Sequence, residues 1–429
     1  MRKLFLIFMS VVLFSSCTVS DDIALKIDDV NIKNEFIEYF ENSFNTQSGG
    51  TVSETVAKQA HTQAELYGKV MAIGRKMKLD AEPEYNSRVE AVIANYGSVD
   101  EYLKKADISK ELFDFLMYGT SYQTLVLQEF VKTLGISEDV FDAYFKSNYY
   151  RAKHLLLLTG DKTSSEKAEL KNKINEIYAE AKNGADFDKL IAEYNEDPGV
   201  KNSPDGYVFT DNEMVQEFFD GVAGIGIGEY AVVETMYGYH VVKRLPLDET
   251  YEHYDNLKKE KMINICQSLI IDKYFKENFW RTKQILLSTK NKSADEIAAI
   301  EEKAERLFEE VQDDGNFEAL MAQYNEDTGV ADNPNGYVFT YGDMVEEFFN
   351  AVSGIEIGEY NLVETMYGYH IVKRLPLDET PELYNEFKKS KLDKIQSSEE
   401  VDINQLFLDY INSKLDEFNI QIRDYTGMY

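Results

Sequence analysis

The sequence predicts an α+β protein. Two tandem domains of β-α-α-β-α-β-β order are preceded by a mainly helical N-terminal region and followed by a helical C-terminal segment. Three observations predict this. At 429 residues the chain is too long for one ordinary core. It repeats itself at a constant offset of 130, with 35 of 47 positions identical between residues 204–250 and 334–380 and 19 of 53 between 151–203 and 281–333. A period that long marks a duplicated domain, not a solenoid. Inside each copy, stretches of helical periodicity alternate with short β-rich runs.

Residues 1–17, MRKLFLIFMSVVLFSSC, begin with Arg2 and Lys3, continue through an apolar stretch from Leu4 to Phe14, and end with small residues before Cys17. The stretch is too short to span a bilayer and has the layout of a secretory signal. FSSC resembles the bacterial lipoprotein lipobox, although Phe14 stands where Leu is commonest. That resemblance implies that Cys17 is lipidated and becomes the first residue of an exported, membrane-anchored chain facing the periplasm or cell exterior. Ordinary signal cleavage beside an incidental cysteine is the other reading.

From 18 to 149 the chain is expected to be mainly helical. ALKIDDVNIKNEFIEYFENSF predicts a small hairpin feeding a helix, NTQSGGTVS a loop, and Glu54–Tyr149 three or four amphipathic helices. The first repeat, 150–248, opens on RAKHLLLL, a buried strand. SSEKAELKNKINEIYAEAKNG then sets Leu170, Ile174, Ile177, Tyr178 and Ala181 on one helical face, closed by Gly184. ADFDKLIAEYNED is a shorter helix ending near the Asp197-Pro198-Gly199 turn, and GYVF is a brief strand. DNEMVQEFFDGV is a third helix with an acidic first turn, which suits its dipole. GEYAVVET and YHVVKRL are two strands joined by a tight turn at Tyr237-Gly238. A long connecting helix is expected over 249–279, the second repeat over 280–379, and further helix over 380–429, with QIRDYTGMY open between strand and tail.

With 44% hydrophobic and 13% aromatic residues the chain can bury sizeable cores. Its 77 acidic and 45 basic residues leave a net charge of −32, which repels phosphate backbones and argues against nucleic-acid binding. The five histidines and two cysteines make no zinc spacing, and the glycines near 224–228 lack the Lys-Ser/Thr of a phosphate loop, so neither metal nor cofactor is expected. Cys266, in an amphipathic run, reads as a small buried apolar side chain, and His61 and His253, in polar helical contexts, as solvated.

Both repeats resemble the parvulin-type peptidyl-prolyl isomerases. The motifs are RAKHLLLL, FDKLIAEYNEDPG, EMVQEFFDGV, GIGEY and ETMYGYHVVKRL in the first, and TKQILL, FEALMAQYNEDTG, DMVEEFF, GIEIGEY and ETMYGYHIVKRL in the second. ALKIDDVNIKNEFIEYF and YGSVDEYLKKADISKELFDFL are similar to the helical chaperone region of the exported parvulin foldases SurA and PrsA. The resemblance implies rotation of X-Pro peptide bonds and chaperoning of unfolded or partly folded exported polypeptides. By position it implies that His154, Asp197, Thr235 and His240 surround the rotating bond, while Phe209, Met214 and Phe218 hold the proline ring. Met214 and Phe218, one helical turn apart, are also consistent with plain core packing, and Asp197 with a turn residue. Tyr237 departs from a small hydroxyl residue often found there, and Gly206 from an apolar one.

The second repeat keeps Asp327, Thr365, His370, Phe339, Met344 and Phe348 but has Gln284 where the first has His154. Glutamine exchanges hydrogen bonds yet does not titrate. The expectation is an altered, weaker second site whose groove still binds peptide. The competing reading of the whole chain is a peptide-holding lipoprotein whose parvulin domains have lost catalysis.

Overall fold

The computed structural model describes residues 23–48, 53–211, 213–313 and 316–426. Cys17 and the signal-like start lie outside the described residues. The chain forms two compact units, one running to Cys266 and resuming at Phe407, the other comprising Gln267–Leu406. No helix among the described residues is long and apolar enough to cross a membrane.

The first unit opens with the hairpin β1 (Ile23–Ile27) and β2 (Val30–Lys33), which feeds α1 (Asn34–Ser48). Five helices follow where three or four were expected: α2 (Glu54–Lys76), α3 (Glu82–Tyr96), α4 (Val99–Ala106), α5 (Lys110–Thr133) and α6 (Glu138–Asn148). The extra count has a local cause. Ser53, Ser98, Ser109 and Ser137 each accept the N–H of the residue three positions on, and these caps divide the helical pattern into separate segments. α2 and α5 carry the core, with Tyr67, Val70, Ile73, Phe113 and Leu116 buried. His61 on α2 is not solvated. It is 8% exposed, and its Nε2 lies 3.3 Å from Asp424 Oδ2. The fold puts it there because the C-terminal strand returns to pair antiparallel with β1, which settles the last residues as strand over Ile422–Asp424.

The first repeat is β3 (Tyr150–Leu158), α7 (Ser164–Lys182), α8 (Phe187–Tyr194), a 3-10 turn (Pro198–Asn202), β4 (Tyr207–Phe209), α9 (Gln216–Ala223), β5 (Tyr230–Glu234) and β6 (Gly238–Leu245). Its sheet is antiparallel in the order β4-β3-β6-β5. Side chains alternate across it. Leu155, Leu157, Tyr239 and Val241 face Ile174, Ile177 and Ala181 of α7 on one side. Ala152 and Val242 meet Phe209, Phe218 and Val222 on the other. Here α9 begins only at Gln216, because Val215 holds an extended ψ of 141°. Met214 therefore precedes the helix and is not one turn below Phe218, although both pack in the same cluster. Glu213 explains the late start: its carboxylate accepts the Thr210 N–H and pairs with Lys261, which ties Glu213 back to Thr210 ahead of the helix.

The expected single connecting helix is two: α10 (Tyr254–Glu260) and α11 (Met262–Asn278), divided at Lys261, whose φ and ψ are −85° and 0°. α10 packs back on α6, where Asp142 accepts from the Tyr254 hydroxyl (2.6 Å) and from Lys258 (3.1 Å).

The second unit contains β7 (Trp280–Ser288), α12 (Ala294–Gln312), α13 (Phe317–Tyr324), a 3-10 turn (Thr328–Asp332), β8 (Tyr337–Phe339), α14 (Glu346–Ser353), β9 (Tyr360–Thr365), β10 (Gly368–Leu375), α15 (Pro381–Ser390) and α16 (Leu392–Gln396). Its sheet order, β8-β7-β10-β9, matches the first. The polar clasp also recurs, with Asp272 accepting from the Tyr384 hydroxyl (2.9 Å) and Lys388 (2.7 Å) above Phe275 and Phe387. The chain then passes through α17 (Ile403–Glu417) to β11 (Ile422–Asp424). Phe407 and Tyr410 pack tilted against Phe130 of α5, each with ring centroids 5.4 Å apart.

Candidate functional site

In the first repeat, β3 and β6 run antiparallel with His154 opposite Val242 and Leu156 opposite His240. This register makes the two histidines diagonal neighbours on the α9 face. Their rings lie 5.4 Å apart, edge to face, and Phe218 packs against both at 5.3 and 5.5 Å. Phe209 lies beneath Phe218 at 5.6 Å and is 1% exposed, so it supports the wall from inside the core. Met214 is half-buried at the edge of the same cluster.

Asp197 ends the α8 loop. Asn195 fixes this loop to the sheet by accepting the Leu156 N–H (2.9 Å) and donating to the Asp197 carbonyl (2.8 Å). The Asp197 carboxylate accepts the Gly199 N–H at Oδ1 (2.8 Å) and the Tyr207 hydroxyl at Oδ2 (3.2 Å). His154 Nε2 lies 3.0 Å from the same Oδ2, off the line of a good hydrogen bond. His240 Nε2 lies 2.9 Å from Thr235 Oγ1, which also accepts the Tyr237 N–H. Burial lowers both imidazole pKa values. For His240 the neighbouring His154 adds to this and the value falls to about 4; for His154 the Asp197 charge opposes it. Among the described residues, the Nδ1 atoms of both rings have no hydrogen-bond partner. Gly206 explains its own departure from an apolar residue: its φ is +96°, and a Cβ there would come within 2.8 Å of the Ala152 carbonyl oxygen.

In the second repeat the corresponding groups form a continuous chain. Thr365 Oγ1 lies 2.8 Å from His370 Nε2, and His370 Nδ1 lies 2.6 Å from Gln284 Oε1. Gln284 Nε2 donates to Asp327 Oδ2 at 2.7 Å. The direction follows from the carboxylate, which can only accept. Gln284 must give its amide N–H to Asp327, so its oxygen faces His370, whose Nδ1 must carry the proton. His370 Nε2 then accepts from the Thr365 hydroxyl. Asp327 also accepts the Gly329 N–H (2.9 Å) and the Tyr337 hydroxyl (2.7 Å). Burial holds His370 down to about 4, against the pull of Asp327. Phe348 packs on His370 at 5.3 Å, Phe339 lies beneath it at 5.9 Å, and Met344 flanks the cluster.

Asn195, Gly199, Tyr207 and their counterparts Asn325, Gly329 and Tyr337 belong to these networks but escape a reading of motifs. For the asparagines and tyrosines the signal lies in the words YNED and GYVF, spelled the same in both repeats, and for the glycines in the Gly two positions after the shared Asp. In composition the sites are apolar walls around a few polar atoms, an arrangement that suits a neutral peptide segment. Among the described residues no group of three potential metal ligands stands together.

Residues 140–245 and 269–375 match the family model of the PPIC-type PPIase domain. A foldase protein PrsA of Geobacillus sp. (strain WCH70) is 25% identical over 261 residues, covering 59% of this chain and 83% of that protein. A chaperone SurA of Chromohalobacter salexigens is 24% identical over 228 residues, covering 52% of this chain and 48% of its own length. The solved peptidylprolyl isomerase PrsA from Bacillus anthracis aligns at 20% identity and a TM-score of 0.21, over 46% of this chain and 84% of that one.

Proposed function

The chain belongs to the PPIC-type peptidyl-prolyl isomerase family, the parvulins, and on that ground we propose that it is a foldase for exported polypeptides. Its substrate is the X-Pro bond of unfolded or partly folded chains, and its first repeat is the stronger catalyst. Unaided, that bond isomerises over tens to hundreds of seconds, across a barrier of roughly 18–20 kcal/mol. No covalent step is needed. A site that prefers the twisted amide, which has lost its resonance, to either planar isomer lowers the barrier. Phe218 and Met214 supply an apolar wall for the proline ring, while Asp197, His154 and His240 set polar atoms beside it. The observation that carries the assignment of the first repeat as the stronger catalyst is its pair of adjacent imidazoles with Asp197 3.0 Å from His154, where the second repeat has one imidazole bonded to Gln284.

The second repeat acts as the weaker catalyst and as a peptide holder. Its histidine, glutamine and aspartate are committed to one another, which leaves fewer free polar atoms for a rotating carbonyl. Beside each site the turn tip is apolar and exposed, at Met236 and Tyr237 and at Met366 and Tyr367, as a surface that holds extended client segments would be. The signal-like start and Cys17 support export and lipid anchoring.

The test is cis/trans relaxation of a proline peptide with the full chain, an Asp197→Ala variant and an Asp327→Ala variant. The proposal expects catalysis by the parent chain, a loss of roughly tenfold or more in D197A, and a smaller loss in D327A. Rates equal to the uncatalysed reaction from a folded chain, together with undiminished suppression of client aggregation, favour the competing reading as a pure peptide holder.

A further inference from the structure

We propose that Tyr207 and Tyr337 are positioning residues: each tyrosine hydroxyl holds its neighbouring aspartate carboxylate in one orientation toward the site, and the Tyr207 ring also sets the plane of His154. This rests on the reading of Asp197 and Asp327 as site groups.

The geometry is the same in both units although the sequence leading into it has drifted. The Asp197 carboxylate is held at one oxygen by the Gly199 N–H and at the other by the Tyr207 hydroxyl. The Asp327 carboxylate is held the same way by Gly329 and Tyr337, with Gln284 as a third donor. Two donors on opposite oxygens stop rotation about the last carboxylate bond, which a single backbone donor leaves free.

The local fold makes room for this contact. A Cβ on Gly199 would come within 2.7 Å of the Tyr207 hydroxyl, and one on Gly329 within 2.5 Å of the Tyr337 hydroxyl. A larger residue in either turn would push the phenol off the carboxylate. Tyr207 also lies nearly parallel to His154, with centroids 5.4 Å apart and planes 16° apart. One side chain thus touches both Asp197 and His154.

The hydroxyl adds little to packing. Each tyrosine sits on a three-residue edge strand whose deepest anchor is a different residue, Phe209 or Phe339, each 1% exposed. Burial and the neighbouring aspartate push the Tyr207 phenol up to about 12, so it remains a proton donor across the working range.

The experiment is Tyr207→Phe in the full chain, on an Asp327→Ala background that isolates the first site. Rates are read beside a titration of the His154 ring by NMR. A positioning role predicts a fall in kcat/KM of roughly fivefold to tenfold, mainly in kcat, and no further loss when Y207F is added to D197A. It also predicts that the His154 pKa rises by about half a unit in Y207F, because Asp197 Oδ2 loses its competing donor. A folded Y207F variant with unchanged kinetics and unchanged His154 titration overturns the proposal. If the parent chain shows no catalysis, the isomerase reading fails, and the titration alone decides the role of Tyr207 by the same criterion. If Y207F does not fold, Y337F is used with the Gln284 side-chain amide resonances as the readout. They shift if Tyr337 shares Asp327 with them, and an unmoved signal overturns the proposal.

Discussion

His240 and His370 occupy equivalent places, both rings buried and both pKa values near 4, but their protons face different neighbours. In the second unit the Nδ1–H donates to Gln284 Oε1, which fixes the tautomer. In the first, His154 offers a second imidazole at a distance that permits ring contact and no hydrogen bond. A stability prediction follows from the shared shift. The unfolded chain binds a proton at each of these histidines near pH 6.5, and the folded chain only near pH 4. The neutral form favoured by folding is fully present above about 6.5, so stability is lost as pH falls from 6.5 toward 4. By pH 5 the loss is on the order of 2 kcal/mol per histidine. Thermal melts at pH 7 and pH 5 check this, with His370→Gln as the control whose pH slope should be shallower.

Among elements, the recurrent helix–domain–helix module is larger than the motifs suggest. The identity between DAYFKSN and DKYFKEN extends the repeat back into α6 and α11, and Tyr254-Lys258 and Tyr384-Lys388 extend it forward into α10 and α15. From sequence these segments read only as flanking helix, because an amphipathic helix announces its face but not its partner. In the fold, one aspartate per module gathers a tyrosine hydroxyl and a lysine from the returning helix. Tyr384→Phe is expected to remove about 1 kcal/mol from the second unit by deleting a hydrogen bond to a charged acceptor. Chemical denaturation should show that loss, with proline-isomerase rates unchanged at 25 °C. The late start of α9 shows the same limit on a smaller scale: Glu213 belongs by composition to the helix, yet Lys261, 48 residues away, holds it in the preceding turn.

At the scale of the molecule, the first unit is closed by residues that come after the second. β11 pairs with β1, and Asp424 reaches His61. The second unit completes its own cores around Ile285 and Ile371, Phe348 and Val372, and Phe275 and Phe387. Truncation after Phe418 is therefore expected to destabilise the first unit by roughly 2–3 kcal/mol and so lower its melting temperature, through the lost strand pairing and the buried His61 left without its aspartate. The second transition should stay in place, and calorimetry can resolve the two. A uniform shift of both would contradict the division into two units.

By itself the sequence determined the α+β class, the duplication, the strand and helix order of each repeat, and the substitution of Gln284 for a histidine. Those follow from periodicity, turn residues and internal identity, which are local properties of the chain. Only the tertiary structure decided that Gln284 links His370 to Asp327, that Tyr207 and Tyr337 hold the carboxylates, that His61 is buried, and that Ile422–Asp424 form a strand on β1. Each depends on groups far apart in sequence meeting across a sheet or a core. A hydrogen bond between distant side chains leaves no periodic trace in the sequence that encodes it.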